Sequence, residues 1–165
     1  MIAYMPDILR TLEAAHAYLQ LGLPEDAWHE LEALPALARA APRVIELRIE
    51  VLQMLEKWES ARGLAESMAN RSPENPDWWI QWAYCLRREQ SVTAARDVLI
   101  KAVQIHPTAA LIVYDLACYA TLLGELTGAR ALLKRAFALQ PNLRKLALAD
   151  PDLEAILGVT TTAST

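Results

Sequence analysis

Residues 76–107 read PDWWIQWAYCLRREQSVTAARDVLIKAVQIHP, and this stretch decides the fold. Its apolar residues recur three and four positions apart in two successive segments, and that spacing is typical of amphipathic helices. The first segment carries Trp79, Trp82, Ala83 and Leu86, and the second carries Ala95, Val98, Leu99 and Ala102. Pro107 cannot continue a helix, so it ends the second segment. The stretch therefore predicts two antiparallel helices joined by a short turn.

The same pair of helices recurs along the chain every 34 residues. Prolines close successive units at Pro73, Pro107 and Pro141. A second column holds only alanine, at Ala27, Ala61, Ala95 and Ala129. A small residue at one fixed position lets the two helices of each unit approach closely. An internal period of this length predicts an array of stacked helix pairs.

These columns resemble the tetratricopeptide repeat, whose pattern places Trp, Leu, Gly or Ala, Tyr, Ala, Phe, Ala and Pro at such positions. The resemblance implies an all-α, right-handed superhelical array of about four antiparallel helix hairpins with C-terminal capping helices. We expect one domain over residues 1–157, with repeats at about 8–41, 42–75, 76–109 and 110–141, capping helices at 142–157 and a flexible tail at 158–165. We expect the first repeat to be distorted, because Pro35 falls within its second helix.

Composition agrees with a helical protein. Of 165 residues, 54 % are hydrophobic, and 29 Ala and 27 Leu supply a third of the chain from the best helix formers. Two cysteines are too few to hold together a small secreted scaffold, which favours a reducing compartment. No secretory signal is evident, and no apolar stretch approaches the ~20 residues of a membrane span. We therefore expect a cytoplasmic protein that does not bind membranes.

Residues with catalytic or ligand-binding chemistry are scarce. Five glycines form neither a dinucleotide-binding nor a phosphate-binding loop pattern. The three histidines fall at different repeat positions, and Cys85 and Cys118 are expected to pack as small hydrophobic residues. We therefore expect no enzyme activity, no metal and no cofactor.

The resemblance also implies that the first helix of each repeat lines a concave groove that binds protein partners. Carried over to this chain, the groove positions are Leu12, Glu13, His16, Glu46, Glu50, Asp77, Ile80, Tyr84, Arg87, Arg88, Tyr114 and Asp115. Chaperone-tail binders of this family clamp a carboxylate with Lys, Asn and Arg at such positions. This chain departs from that pattern, because position 5 of the four repeats holds Leu12, Glu46, Ile80 and Tyr114 and position 9 holds no Asn. An apolar line flanked by acidic residues would suit an amphipathic helix or an extended segment with some basic residues.

A second candidate surface is basic. Arg62, Arg96 and Arg130 recur at the 34-residue step on the second helices, and Lys134, Arg135, Arg144 and Lys145 add to them. Residues 76–165 carry nine basic and eight acidic residues, against seven and twelve in residues 1–75. This basic outer surface is either ordinary solvated helix or a site for an acidic protein surface or tail. Nucleic acid is not expected, because the isoelectric point is about 5.4.

Trp78 has two interpretations. Its column holds no consistent apolar residue, so the side chain is either an exposed contact for a partner or partly buried against the preceding repeat.

The function expected from these features is a non-catalytic module that binds other proteins. Two finer resemblances compete: short bacterial kinesin-light-chain-like proteins associated with tubulin-like filaments, and bacterial secretion chaperones that hold a secreted client. Self-assembly is a third hypothesis, with a homodimer through repeat 1. Its apolar end would comprise Ile2, Tyr4, Met5, Ile8, Leu9 and Leu12.

Overall fold

A computed structural model describes residues 4–158, with side chains from Ile8 onward. The expected tail beyond Gly158 lies outside the described residues, as do Ile2 and the side chains of Tyr4 and Met5. The chain divides into two compact units between Met68 and Ala69, called here unit 1 and unit 2.

Unit 1 begins with a hairpin of α1 (Tyr4–Gln20) and α2 (Pro24–Glu32), followed by the short α3 (Ala36–Arg39) and by α4 (Pro42–Met54). Gly22 turns the chain between the first two helices with φ +72°, a conformation that favours glycine. Ala15, Ala27 and Leu31 are fully buried where α1 and α2 meet. The unit thus has an apolar core of its own.

The distortion of repeat 1 takes a definite form. Helix α2 ends at Glu32, and Pro35 immediately precedes the first residue of α3. Proline has no N–H to donate and fixes its own φ, so it starts a new short helix instead of extending α2. Ala38 of α3 and Leu34 still point into the core and are almost fully buried.

Helix α5 (Trp58–Arg71) contains the division between the units. Unit 2 continues with α6 (Pro76–Glu89), α7 (Val92–Ile105), α8 (Ala110–Leu122) and α9 (Leu126–Leu139). The chain then forms α10 (Leu143–Ala147), a 3-10 turn (Pro151–Leu153) and α11 (Glu154–Leu157). Within this unit, α6 packs on α7 and α8 packs on α9, as antiparallel pairs.

Helix starts in unit 2 are set by local side-chain chemistry. The side chain of Asn75 accepts a hydrogen bond from the Asp77 N–H at 3.0 Å, and Ser91 accepts one from the Ala94 N–H at 3.1 Å. Each bond satisfies a backbone donor that the first helical turn leaves unpaired. Pro76 in the first turn of α6 also suits a helix start, because a proline there gives up an N–H that would have no partner within the helix.

The four alanines of the repeat column are all fully buried, as close helix contact requires. Trp78 is buried and not exposed, since only 2 % of its surface is accessible. It lies in the first turn of α6, next to the half-buried Pro76, and the sequence column gave no sign of this burial. Trp78 is therefore a core residue, and its use as an exposed partner contact is wrong.

The all-α class is confirmed: within residues 4–158 every regular element is helical. Over the same residues, no helix is both long enough and apolar enough to cross a membrane.

Candidate protein-interaction surfaces

In unit 1, the predicted groove residues lie on α1 and α4 and are mostly in contact with solvent. Leu12 is partly buried against the core, whereas Glu13 and His16 are exposed. Glu46 forms an ion pair with Arg43 at 2.7 Å, one turn earlier on α4. Since both partners remain accessible, this pair contributes little to stability. Glu50 is also exposed, so this part of the groove is acidic and open to solvent.

In unit 2, the predicted groove residues of α6 are also accessible. Asp77, Tyr84 and Arg88 are exposed, and Ile80 is half-buried. Tyr84 has 42 % of its surface accessible, which is high for an aromatic side chain. Large side chains of this kind are frequent contacts in protein interfaces.

The remaining groove residues of unit 2 are covered by the chain itself. The C-terminal segment Asp150–Asp152 lies against α6 and α8, where Asp152 accepts two hydrogen bonds from the guanidinium of Arg87. The hydroxyl of Tyr114 donates to Asp150 Oδ2 at 2.7 Å, and only 2 % of Tyr114 is accessible. These two side chains therefore hold the C-terminal segment and are not free to meet a partner, contrary to the expectation from the repeat pattern.

This contact places three carboxylates near a single guanidinium. Burial, together with the negative charge of Asp150, raises the pKa of Asp115 to about 7, while the positive charge of Arg87 opposes the shift. Burial likewise raises the pKa of Cys118 well above its usual range, with a further contribution from Asp150. Near neutral pH, the Cys118 thiol is therefore protonated, which makes it a poor nucleophile.

The cluster also contains the one combination of side chains, within the described residues, with metal-ligand spacing. Ligand atoms of Cys118, Asp150 and Asp152 lie within 4.8 Å of one another. Asp152 is already paired with Arg87, and the Cys118 thiol donates to Asp150 at 3.5 Å. Because a metal ligand must be deprotonated and available, these donors are better suited to the contact they already make.

The C-terminal contact was not foreseen from the sequence. Locally, Asp150 caps the turn that follows it, since its side chain accepts a hydrogen bond from the Asp152 N–H at 3.0 Å. The ion pair between Asp152 and Arg87 joins residues that are 65 positions apart, and no local sequence pattern predicts a contact at that separation.

The basic outer surface divides into two groups. In the first group a carboxylate neutralises the arginine: Arg62 pairs with Glu66 at 2.7 Å, and Arg96 pairs with Glu125 at 2.6 Å. Glu125 lies in the next hairpin, 29 residues from Arg96, so helix periodicity alone cannot predict this pair.

The second group holds five basic residues of α9 and α10 whose described contacts are not with carboxylates. Arg130 donates to the Ile156 carbonyl at 2.9 Å, Arg135 donates to the Pro107 carbonyl, and Arg144 lies over the ring of Phe137. Lys134 and Lys145 are exposed. Among the residues that the structure describes, these five cations of α9 and α10 have no salt bridge. Since α9 and α10 contain no acidic residue, these helices are locally basic in a chain whose net charge is −4.

Comparison with known proteins identifies the fold. The chain is similar to TTC0263, a thermophilic TPR protein of Thermus thermophilus, with a TM-score of 0.69 and 19 % identity over 90 % of this chain and 85 % of that one. Two crystal structures of MamA also match, with TM-scores of 0.67 and 0.65 and 15 % identity each. They cover 84 % and 87 % of this chain, and 81 % and 79 % of the MamA chains. No family model and no curated protein sequence matches this chain.

Proposed function

We propose that this chain, which has the tetratricopeptide-repeat fold, is a non-catalytic cytoplasmic scaffold that binds an acidic surface of another protein through α9 and α10. The observation that carries the proposal is the group of five cations on those two helices that have no carboxylate partner within the described part of the chain. Interfaces of this type draw their partner in by charge and gain specificity from complementary potentials.

Two of the five cations are lysines with exposed side chains. Lys134 and Lys145 therefore allow the surface charge to be changed without disturbing the fold. The other three are fixed by backbone carbonyls or by an aromatic ring. A partly fixed cationic surface loses less conformational entropy when it binds than a fully mobile one.

A bacterial tubulin-like filament is the specific partner that we propose to test first, because the sequence resembles short kinesin-light-chain-like proteins. Co-sedimentation with such a polymer should show saturable binding that weakens as salt is raised. Reversal of both lysines, K134E with K145E, should weaken binding about ten-fold or more. The control K101E changes an exposed lysine on α7, outside this surface. Equal binding by all three proteins would contradict the role of α9 and α10.

A secretion chaperone that holds an amphipathic client segment is the second candidate. It is supported by the accessible Tyr84 beside the half-buried Ile80 on α6, with Asp77 one turn earlier. A client with apolar and basic residues would suit these side chains. Substitution Y84S should weaken binding of such a client, whereas K134E with K145E should leave it unchanged; the reverse pattern would favour the basic surface.

Self-assembly through repeat 1 is the third candidate, and it is supported by one exposed side chain, Leu9, with 57 % of its surface accessible. Ile8 and Leu12 are instead packed against the core of unit 1, which leaves less apolar surface than the sequence pattern implied. Light scattering at increasing protein concentration tests this homodimer. A constant monomer mass would exclude it, and a dimer mass that L9E abolishes would support it.

A further inference from the structure

A cleft of about 280 Å³ opens between α9, α10 and α11, entirely within unit 2. Its apolar lining is supplied by Leu133, Phe137, Ile156 and Leu157. Three of the cations of the basic outer surface, Arg130, Lys134 and Arg144, line the same cleft. None of the described residues that line the cleft is acidic. The cleft thus combines an apolar floor with a cationic rim.

Two of the three rim cations are held in position. Arg130 donates to the Ile156 carbonyl at 2.9 Å, and the guanidinium carbon of Arg144 lies 5.2 Å from the centre of the Phe137 ring. Neither contact neutralises the charge, because one partner is a neutral carbonyl and the other an aromatic ring. Like charges that converge without a counter-charge repel one another, and an anion bound between them would relieve that repulsion.

The floor and the size of the cleft restrict what the anion can be. A cavity of about 280 Å³ is at the lower limit of small-molecule pockets, so it suits one large apolar side chain and its neighbours. A phosphate or a nucleic-acid backbone would leave Leu133 and Phe137 uncovered. A fatty acid would bring only one carboxylate to three cations. An acidic protein segment offers several carboxylates around an apolar side chain and therefore matches both features.

We infer that this cleft binds a segment of a partner protein in which Leu or Phe adjoins Glu or Asp, with the apolar side chain on the floor and the carboxylates at the rim. The inference rests on the proposed function, since it names the feature of the acidic partner that α9 and α10 recognise. It goes further in requiring an apolar side chain, which charge attraction alone does not need.

Fluorescence anisotropy with labelled peptides, blocked at both ends, separates these two requirements. The probe is GSEELFEGS, and the matched peptides are GSEESSEGS, without the apolar pair, and GSQQLFQGS, without the charges. We expect GSEELFEGS to bind and each matched peptide to bind about ten-fold more weakly or worse. Equal binding of GSEELFEGS and GSEESSEGS would overturn the inference while the proposed function stands. No binding of either peptide, together with normal binding of an acidic protein partner, would also overturn it.

The chain supplies a matched pair of lysines for the protein side of the test. Lys134 lines the cleft and Lys145 does not, although both are exposed and both belong to the basic outer surface. K134Q should weaken binding of GSEELFEGS about five-fold, and K145Q should change it less than two-fold. Equal effects of K134Q and K145Q would show that general charge, not the cleft, binds the peptide. Circular dichroism melting curves would verify that both variants keep the fold, and a chain ending at Gly158 should bind the probe as the full chain does.

Discussion

Asp115 is a carboxylate that unit 2 holds half-buried beside two further carboxylates, with Arg87 as the nearby cation. Its raised pKa means that the folded chain retains a proton that the unfolded chain has already released. Folding is therefore linked to proton uptake over the range between the two pKa values. Asp115 therefore contributes a gain in stability when the pH is lowered mildly from neutrality.

We predict a specific pH dependence for Asp115. Its ordinary pKa is 3.8 and its folded value is about 7, so its contribution to stability is complete below pH 3.8 and is lost as the pH rises through 7. The contribution changes by at most about 1.4 kcal/mol per pH unit, the limit for one proton. Urea denaturation of wild type and D115N at pH 5 and pH 8 measures it as a difference between the two proteins. D115N should gain on the wild type as pH rises; D97N, which changes a carboxylate on α7 away from this cluster, should not.

A second prediction concerns the ion pair between Arg87 and Asp152. D152N removes the charge but keeps the size of the side chain, so the C-terminal segment should open more often. Cys118, whose thiol donates to Asp150, should then react about ten-fold faster with a thiol reagent under native conditions. Cys85 is fully buried in α6 and is the internal control, whose rate should not change. If both thiols became faster together, the variant would be unfolding as a whole.

The limits of prediction for single residues follow from the distance between partners. The 34-residue step placed the buried alanines because helix contact repeats with the sequence. It could not pair Arg96 with Glu125, or Arg87 with Asp152, because these partners come together only after hairpins have packed. The burial of Trp78 could not be predicted for a related reason, since the residues around it are brought there by packing and are not indicated by its own position in the repeat.

Among the elements of the chain, the short C-terminal ones carry more weight than their length implies. The 3-10 turn and α11 together span only residues 151–157, yet Leu153 is fully buried and Ile156 nearly so. Such short helices are unstable alone, so they form because they pack on α8 and α9. The sequence predicted capping helices here, but it did not predict that the residues before them cover Tyr114.

We predict that L153A will destabilise the chain by about 2–4 kcal/mol, because it leaves a cavity in a packed core. The matched control is L148A, which removes the same atoms from a leucine with 58 % of its surface accessible. That variant should change the unfolding free energy by less than about 0.5 kcal/mol. Urea denaturation followed by tryptophan fluorescence compares them, and a loss of the same size in both would show that the C-terminal elements do not belong to the core.

Regular elements were easier to predict than their irregular connections. The periodic apolar stripes and closing prolines define α6 to α9 closely, because helix geometry depends on neighbours three and four positions away. Pro35 predicted that the second helix of repeat 1 would be interrupted, but it did not predict which structure would replace the regular helix. Whether the chain kinks, ends a helix or starts a new one depends on what the flanking residues can bury, and here Leu34 and Ala38 both reach the core.

For the whole molecule, the main property is that helices contact helices close to them in sequence, within each of the two units. Repeat proteins built this way have stabilities that approximate sums over units and nearest-neighbour interfaces. A local change should therefore lose influence with distance along the chain.

Hydrogen exchange on L153A tests that expectation. Loss of amide protection should be largest in α8 and α9, smaller in α6 and α7, and smallest in α1 and α2. Mass spectrometry of peptic fragments at several exchange times provides the measurement. A uniform loss across the chain would mean that the molecule unfolds as one cooperative block.

The docked C-terminal segment also makes the molecule extendable at one place and not at another. A protein engineer who appended a further hairpin after Gln140 would have to displace Asp150 from Tyr114 and Leu153 from its core position. A 34-residue module inserted ahead of Ala110 would keep both contacts, because α8, α9 and the segment would move together. It would separate Arg87 from Asp152 unless the module carried an arginine at the equivalent position. The segment therefore occupies the surface on which a further hairpin would stack, and longer versions of this scaffold should carry the added repeats between existing hairpins.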